Sequence, residues 1–136
     1  MDGATVAYIG ILMAFAGDWE RGGVLTEKGM QLNANHPGWH GMTAWHDAYR
    51  RKDYPKALEL ALKLNAPKNP GVQRSLTVSY AQPGTSAEAH GSLRDLLALV
   101  PNYAQVAREM HSRWLEPDLV EHMIEGLRKA GLTDAY

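Results

Sequence analysis

Short, evenly spaced breaks cut this chain into pieces of helical length, and nothing between them has the period of a strand. The breaks fall at "AGD" (16–18), "NHPG" (35–38), "KD" (52–53), "APKNPG" (66–71), "QPG" (82–84), "VPN" (100–102) and "EPD" (116–118). Between them, apolar residues recur every fourth position: Val72, Leu76 and Tyr80; Ala89, Leu93 and Leu97; Leu119, Met123 and Leu127. That spacing draws one apolar stripe along a helix. No stretch sustains strand alternation or carries a hairpin signal. The expected fold is all-α, with about eight helices of about 10 to 15 residues joined by short turns.

The breaks carry their own start and stop chemistry. Asp18 opens the helix after Gly17. Thr85 with Glu88 has the spacing of a capping box, and Asp118 with Glu121 is its acidic version. Gly131 after "RKA" is a natural C-cap, with cations at the negative end of the helix. The chain has 136 residues, of which 45% are hydrophobic, enough for one domain over 1–136. Its 14 basic and 15 acidic residues leave a net charge of -1, which favours neither nucleic acid nor an anionic membrane. There is no cysteine, which excludes disulfides and thiolate chemistry and fits a reducing cytoplasm. The N-terminal "GATVAYIGILMAFAG" is apolar, but Asp2 stands where a signal peptide needs a cation. The run also falls short of the roughly 20 residues of a membrane span, so a buried helix is expected.

Even breaks invite a search for repeats. "AGDWERGGVLTEKGMQLNANHP", "RKDYPKALELALKLNAPKNP" and "QPGTSAEAHGSLRDLLALVPN" each place a small residue after a turn (Gly22, Ala57, Ala89). Each then runs through an apolar helix to a leucine (Leu32, Leu64, Leu99) before a Pro- or Asn-rich turn. In the third copy Leu76, Tyr80, Gly84, Ala89, Leu93 and Pro101 fall in order. The pattern resembles the tetratricopeptide repeat, a helix-turn-helix unit of about 34 residues. The first copy departs from it with Ala34 in place of proline, and the second with Trp45 in a small-residue place. The resemblance implies a right-handed superhelical array of antiparallel helix pairs: three repeats (4–36, 38–68, 70–102) and a terminal pair (103–131). Gly10, Gly22 and Gly29 are expected where helices approach closely, because mid-helix glycine costs about 1 kcal/mol against alanine and packing must offset it. "GDWERG" with "LNANHPGW", and "EPDLVEHMIEGLRKAGL", resemble the tetratricopeptide region of bacterial adenylate and guanylate cyclases and related signalling regulators. That implies a regulatory piece of a longer protein whose catalytic domain lies elsewhere.

Chemical motifs are scarce. His36 and His40 flank Pro37-Gly38, a turn signal, so they do not share one helix face as a metal-ligand pair would. His46-Asp47 resembles the doublet of metal-dependent phosphohydrolases, but His40, Asp53, His90 and Asp95 follow no ligand spacing. His111 and His122 lie among polar helix positions. No HExxH, GxSxG or phosphate loop is present. No catalytic residue, metal or cofactor is expected. The alternatives are a helical metal-dependent phosphohydrolase and a small-molecule sensor with a pocket between Trp39, Trp45 and Tyr49.

Binding of another protein or peptide remains the main expectation. By the family's pattern, the concave face carries Trp39, Met42, His46, Tyr49 and Arg50 from the second unit and Arg74, Val78 and Gln82 from the third. Trp39 and Met42 have inter-repeat packing as their alternative role. The carboxylate clamp of chaperone-binding members is missing, since its places hold Ala7 and Ile11. Residues 4 to 16, "ATVAYIGILMAFA", carry no charge on any face, so a homodimer through Tyr8, Ile11, Leu12 and Phe15 is expected. At the other end a helix over 118–130 is expected to cap the array. Its Leu119, Met123 and Leu127 would face in, and Glu121, Glu125, Arg128 and Lys129 out.

Overall fold

The structure, a computed structural model, describes residues 2–32, 41–84 and 86–133. Among them the chain forms eight helices: α1 (Gly3–Phe15), α2 (Trp19–Leu32), α3 (Met42–Arg50), α4 (Tyr54–Leu64), α5 (Pro70–Ala81), α6 (Ala87–Leu99), α7 (Tyr103–Ser112) and α8 (Pro117–Lys129). Short turns force antiparallel neighbours, and α1 pairs with α2, α3 with α4 and α5 with α6. The expected all-α arrangement of antiparallel pairs is thus present. No helix among the described residues is long and apolar enough to cross a membrane.

Side-chain caps set most helix starts. Asp2 accepts the Thr5 N–H at 2.8 Å, Asp18 that of Arg21 at 3.2 Å, and Asp53 that of Lys56 at 3.3 Å. The Thr5 amide holds the exposed Asp2 carboxyl below the usual range. Asn69 accepts from both Gly71 and Val72 ahead of Pro70. Two expected caps shift by one or two residues. Ser86 caps α6 by accepting from Ala89 N–H, in the role expected of Thr85, which lies outside the described residues. α8 begins at Pro117, so Asp118 falls in its first turn, where its charge still suits the dipole. Gly17 and Gly131 end their helices at φ +107° and +111°, a left-handed backbone that glycine adopts without strain.

The α1–α2 pair is a small-residue seam. Gly3, Ala7, Gly10 and Ala14 face Gly22, Thr26 and Gly29, all buried. A Cβ on Gly10 would lie 2.5 Å from Thr26 N, and one on Gly22 would lie 2.7 Å from Ala14 Cβ. The close approaches expected of Gly10, Gly22 and Gly29 are present. Further along, the core is built on Trp45, Tyr49, Leu96, Tyr103, Met123, Ile124 and Leu127.

α8 has the expected sidedness: Leu119, Met123 and Leu127 are buried, and Glu121, Glu125, Arg128 and Lys129 are exposed. Its position goes beyond an end cap. It packs more extensively on α5 than on α7, its neighbour in the chain, and it reaches Tyr49 of α3.

Candidate functional site

The residues expected on an open concave face are largely interior. His46, Tyr49, Arg74, Val78 and Gln82 are all buried. Met42 is half-buried, its sulfur 3.8 Å from the Ser75 hydroxyl, so it packs between α3 and α5. Arg50 keeps a third of its side chain exposed, pairs with Asp47 at 2.7 Å and lies over the Trp19 ring at 5.2 Å. Trp39 lies outside the described residues. The correction has a physical cause: α8 covers Tyr49, Val78 and Gln82, Phe15 and Trp19 close over His46, and His111 of α7 lies against Arg74.

A polar clasp holds α8 there. The Tyr49 hydroxyl donates to the His122 carbonyl at 2.8 Å, and Gln82 Nε2 donates to the same carbonyl at 3.1 Å. Gln82 Nε2 also donates to Tyr49 Oη at 2.9 Å, while its Oε1 accepts from Lys129 Nζ at 2.9 Å. The His122 ring stacks on Tyr49 with centroids 4.2 Å apart, and its Nε2 lies 2.8 Å from Tyr54 Oη. Tyr49 in turn stacks on Trp45, whose indole N–H donates to Ser79 Oγ at 2.9 Å. Gly126 makes the approach possible, because a Cβ there would lie 2.7 Å from Tyr49 Oη and 2.9 Å from Val78 Cβ. Sequence reading missed His122 and Gly126 as contact residues. The available signal was Gly126 beside the Leu119, Met123 and Leu127 stripe, the same mark that the α1–α2 glycines carry.

Deeper in, the Arg74 guanidinium is buried. Its Nη1 lies 3.4 Å from His111 Nδ1 and the group lies over Trp45 at 5.6 Å, while Nε and Nη2 have no hydrogen-bond partner. A guanidinium only donates, so His111 accepts on Nδ1 and its Nε2–H donates to Tyr103 Oη at 2.5 Å. His46 Nδ1 lies 2.8 Å from the Met42 carbonyl and therefore carries its proton. Burial, reinforced by the Arg74 charge, pushes both His46 and His111 down to about 3, and burial pushes the Tyr103 hydroxyl up to about 12. His111, expected among polar surface positions, is a core residue.

These histidines are expected to make the fold acid-sensitive. Between their ordinary value of 6.5 and about 3, the unfolded chain binds protons that the folded chain refuses. Their stabilisation is therefore fully present above pH 6.5 and declines as pH falls, by about 1.4 kcal/mol per pH unit for each histidine. Urea denaturation from pH 7 to pH 4 is expected to show a falling midpoint, with a shallower fall in Arg74→Met. A midpoint constant over that range would contradict the assignment.

The remaining lookalikes separate. The His46 ring is enclosed by Phe15, Trp19 and Trp45, and Asp47 pairs with Arg50 and Arg51. Among the described residues no three of His, Cys, Asp or Glu are grouped to hold a metal ion. His36 and His40 lie outside the described residues. Trp45 and Tyr49 are fully buried and stacked on each other, and Trp39, the third residue of the expected pocket, lies outside the described residues. An open cleft of about 860 Å³ runs instead between Trp19, Arg50 and Lys52 on one side and the polar face of α8 on the other, from Glu116 to Lys129.

The four residues expected to self-associate divide. Tyr8 and Leu12 are 54% and 46% exposed, while Ile11 is 8% exposed. Phe15 turns inward, edge-on to Trp19 and His46 at 5.6 and 5.0 Å. Ile9, 36% exposed, joins Tyr8 and Leu12 on the outer face. The correction follows from helix geometry: residues 3, 7, 10, 11 and 14 form the buried stripe, so residues 8, 9 and 12 face away.

No family model matches the chain, and no curated protein or solved structure matches it.

Proposed function

We propose that this chain is a protein-interaction module, built as a tetratricopeptide-like superhelical array, that pairs with a second copy of itself through α1. The observation that carries this reading is the outer face of α1. Tyr8, Ile9 and Leu12 form an exposed apolar stripe on a helix without a single charged residue. A patch of that kind on a soluble domain marks a contact surface. A two-fold pair is the simplest closed arrangement that buries it. The array is supported by the helix pairs and by the repeat spacing at Leu76, Tyr80, Gly84, Ala89, Leu93 and Pro101. The segments "GDWERG" and "EPDLVEHMIEGLRKAGL" support a regulatory setting beside a signalling domain such as a nucleotide cyclase. The lack of cysteine supports work in the cytoplasm.

Tyr8→Glu with Leu12→Glu tests the pairing without entering the core. Light scattering is expected to report a dimer for the unmodified chain and a monomer of equal helicity for the variant. Losing an interface anchor costs about 2 kcal/mol or more, so each of the two substitutions is expected to weaken pairing about 30-fold or more. An unmodified chain that is monomeric at high concentration would remove the proposal.

A further inference from the structure

We propose that the groove between α3 and α5 is a receptor for an amphipathic helix with glycine at its crossing point, and that α8 occupies it in cis until a partner helix of the same chemistry displaces it. The inference rests on the reading of the chain as a protein-interaction module, but it uses a surface separate from the outer face of α1. Three observations carry it.

The first is how α8 is attached. Its contacts run mainly to α5 and to Tyr49, and fewer to α7. The link between α7 and α8 includes Trp114, which is 64% exposed, beside Leu115, which is buried in the core. α8 is therefore held by the groove more than by its neighbour in the chain.

The second is what the groove reads. Tyr49 and Gln82 both donate to the backbone carbonyl of His122, a group that every helix presents. In a helix this carbonyl already accepts the N–H four residues on, which belongs to Gly126. The missing side chain at that position uncovers the carbonyl to outside donors. A Cβ on Gly126 would lie 2.7 Å from Tyr49 Oη, so even alanine would push the donor away. The third is that the rest of the pattern is legible from α8: apolar residues seven and three before the glycine and one after it (Leu119, Met123, Leu127) are buried. A cation three after it, Lys129, reaches Gln82 Oε1 at 2.9 Å. The ligand class is thus an amphipathic helix with that spacing.

The test uses a fluorescent peptide of residues 116–133 and the full chain, read by anisotropy. Gly126→Leu in the chain unseats α8 and leaves the groove residues intact. This variant is expected to bind the peptide at least about 10-fold more tightly than the unmodified chain, where the cis helix competes. A peptide that itself carries Gly126→Leu is expected to bind neither chain. A folded Gly126→Leu chain that captures no peptide would overturn the proposal. Should that variant fail to fold, hydrogen exchange on the unmodified chain decides. α8 amides are expected to exchange through an opening that leaves α3 and α5 protected. Exchange of α8 only together with α3 and α5 would overturn the proposal. A dimer that persists in Tyr8→Glu, Leu12→Glu and dissolves on adding the peptide would place a second copy's α8 in the groove, overturning the assignment to a separate partner. Failure of the α1 dimer alone leaves peptide capture unchanged, so the two readings fail separately.

Discussion

Gly22→Leu is expected to release α1 from the fold. A Cβ at position 22 would meet Gly10 O at 2.5 Å and Ala14 Cβ at 2.7 Å, as well as Ala14 N. Two of these are backbone atoms, which cannot rotate aside as a side-chain tip can. The helices must separate along the whole seam, and Gly10, Thr26 and Gly29 lose their contacts with it. Overpacking of a tight site costs about 3 kcal/mol, occasionally more. The extensive contacts of α1 are with α2, so the expected result is local. Circular dichroism should lose about one helix, while the near-ultraviolet signal of buried Trp45 persists. Gly23→Ala is the control one residue away. Nothing lies within 4 Å of a Cβ there, and the gain in helix propensity is about 1 kcal/mol. Equal helicity and equal denaturation midpoints for Gly22→Leu and the unmodified chain would refute the seam.

The second large effect is expected at Tyr49. Its ring is fully buried between Trp45 and His122, and its hydroxyl bridges Gln82 and the His122 carbonyl. Tyr49→Ala removes the ring on which α3, α5 and α8 meet, and buried aromatic-to-alanine changes cost about 3–5 kcal/mol. Tyr49→Phe keeps the ring and both stacks. It leaves the His122 carbonyl with the Gln82 donor, so its cost is expected near about 1 kcal/mol. Urea denaturation of the two variants separates packing from hydrogen bonding. Equal losses in both would mean that the hydroxyl, rather than the ring, holds α8.

The helices were legible because their causes are local. Apolar residues at every fourth position, together with Asp18, Gly17 and Gly131 at the ends, act within one or two turns, and these signals match α2, α6 and α8 closely. The α1–α2 seam was legible for a related reason: mid-helix glycine is unfavourable by itself, so Gly10, Gly22 and Gly29 point to a neighbour that needs the space. Even so, periodicity could not choose which side of α1 faces out. Every residue there is uncharged, and only the glycine seam turns Ile11 inward and leaves Ile9 exposed. What the tertiary structure alone decided is the fate of the concave residues. Tyr49 and Gln82 are separated from His122 by 73 and 40 positions, and no pattern within a helix encodes such a pairing. The stripe on α8 states that one face must be buried, but not against which surface. By lying on α5 and Tyr49, α8 turns Tyr49, Val78 and Gln82 of the expected binding face into core. The buried Arg74, His46 and His111 depend in the same way on contacts between helices distant in sequence. Burial of a polar residue is set by what covers it, and that is a property of the assembled helices.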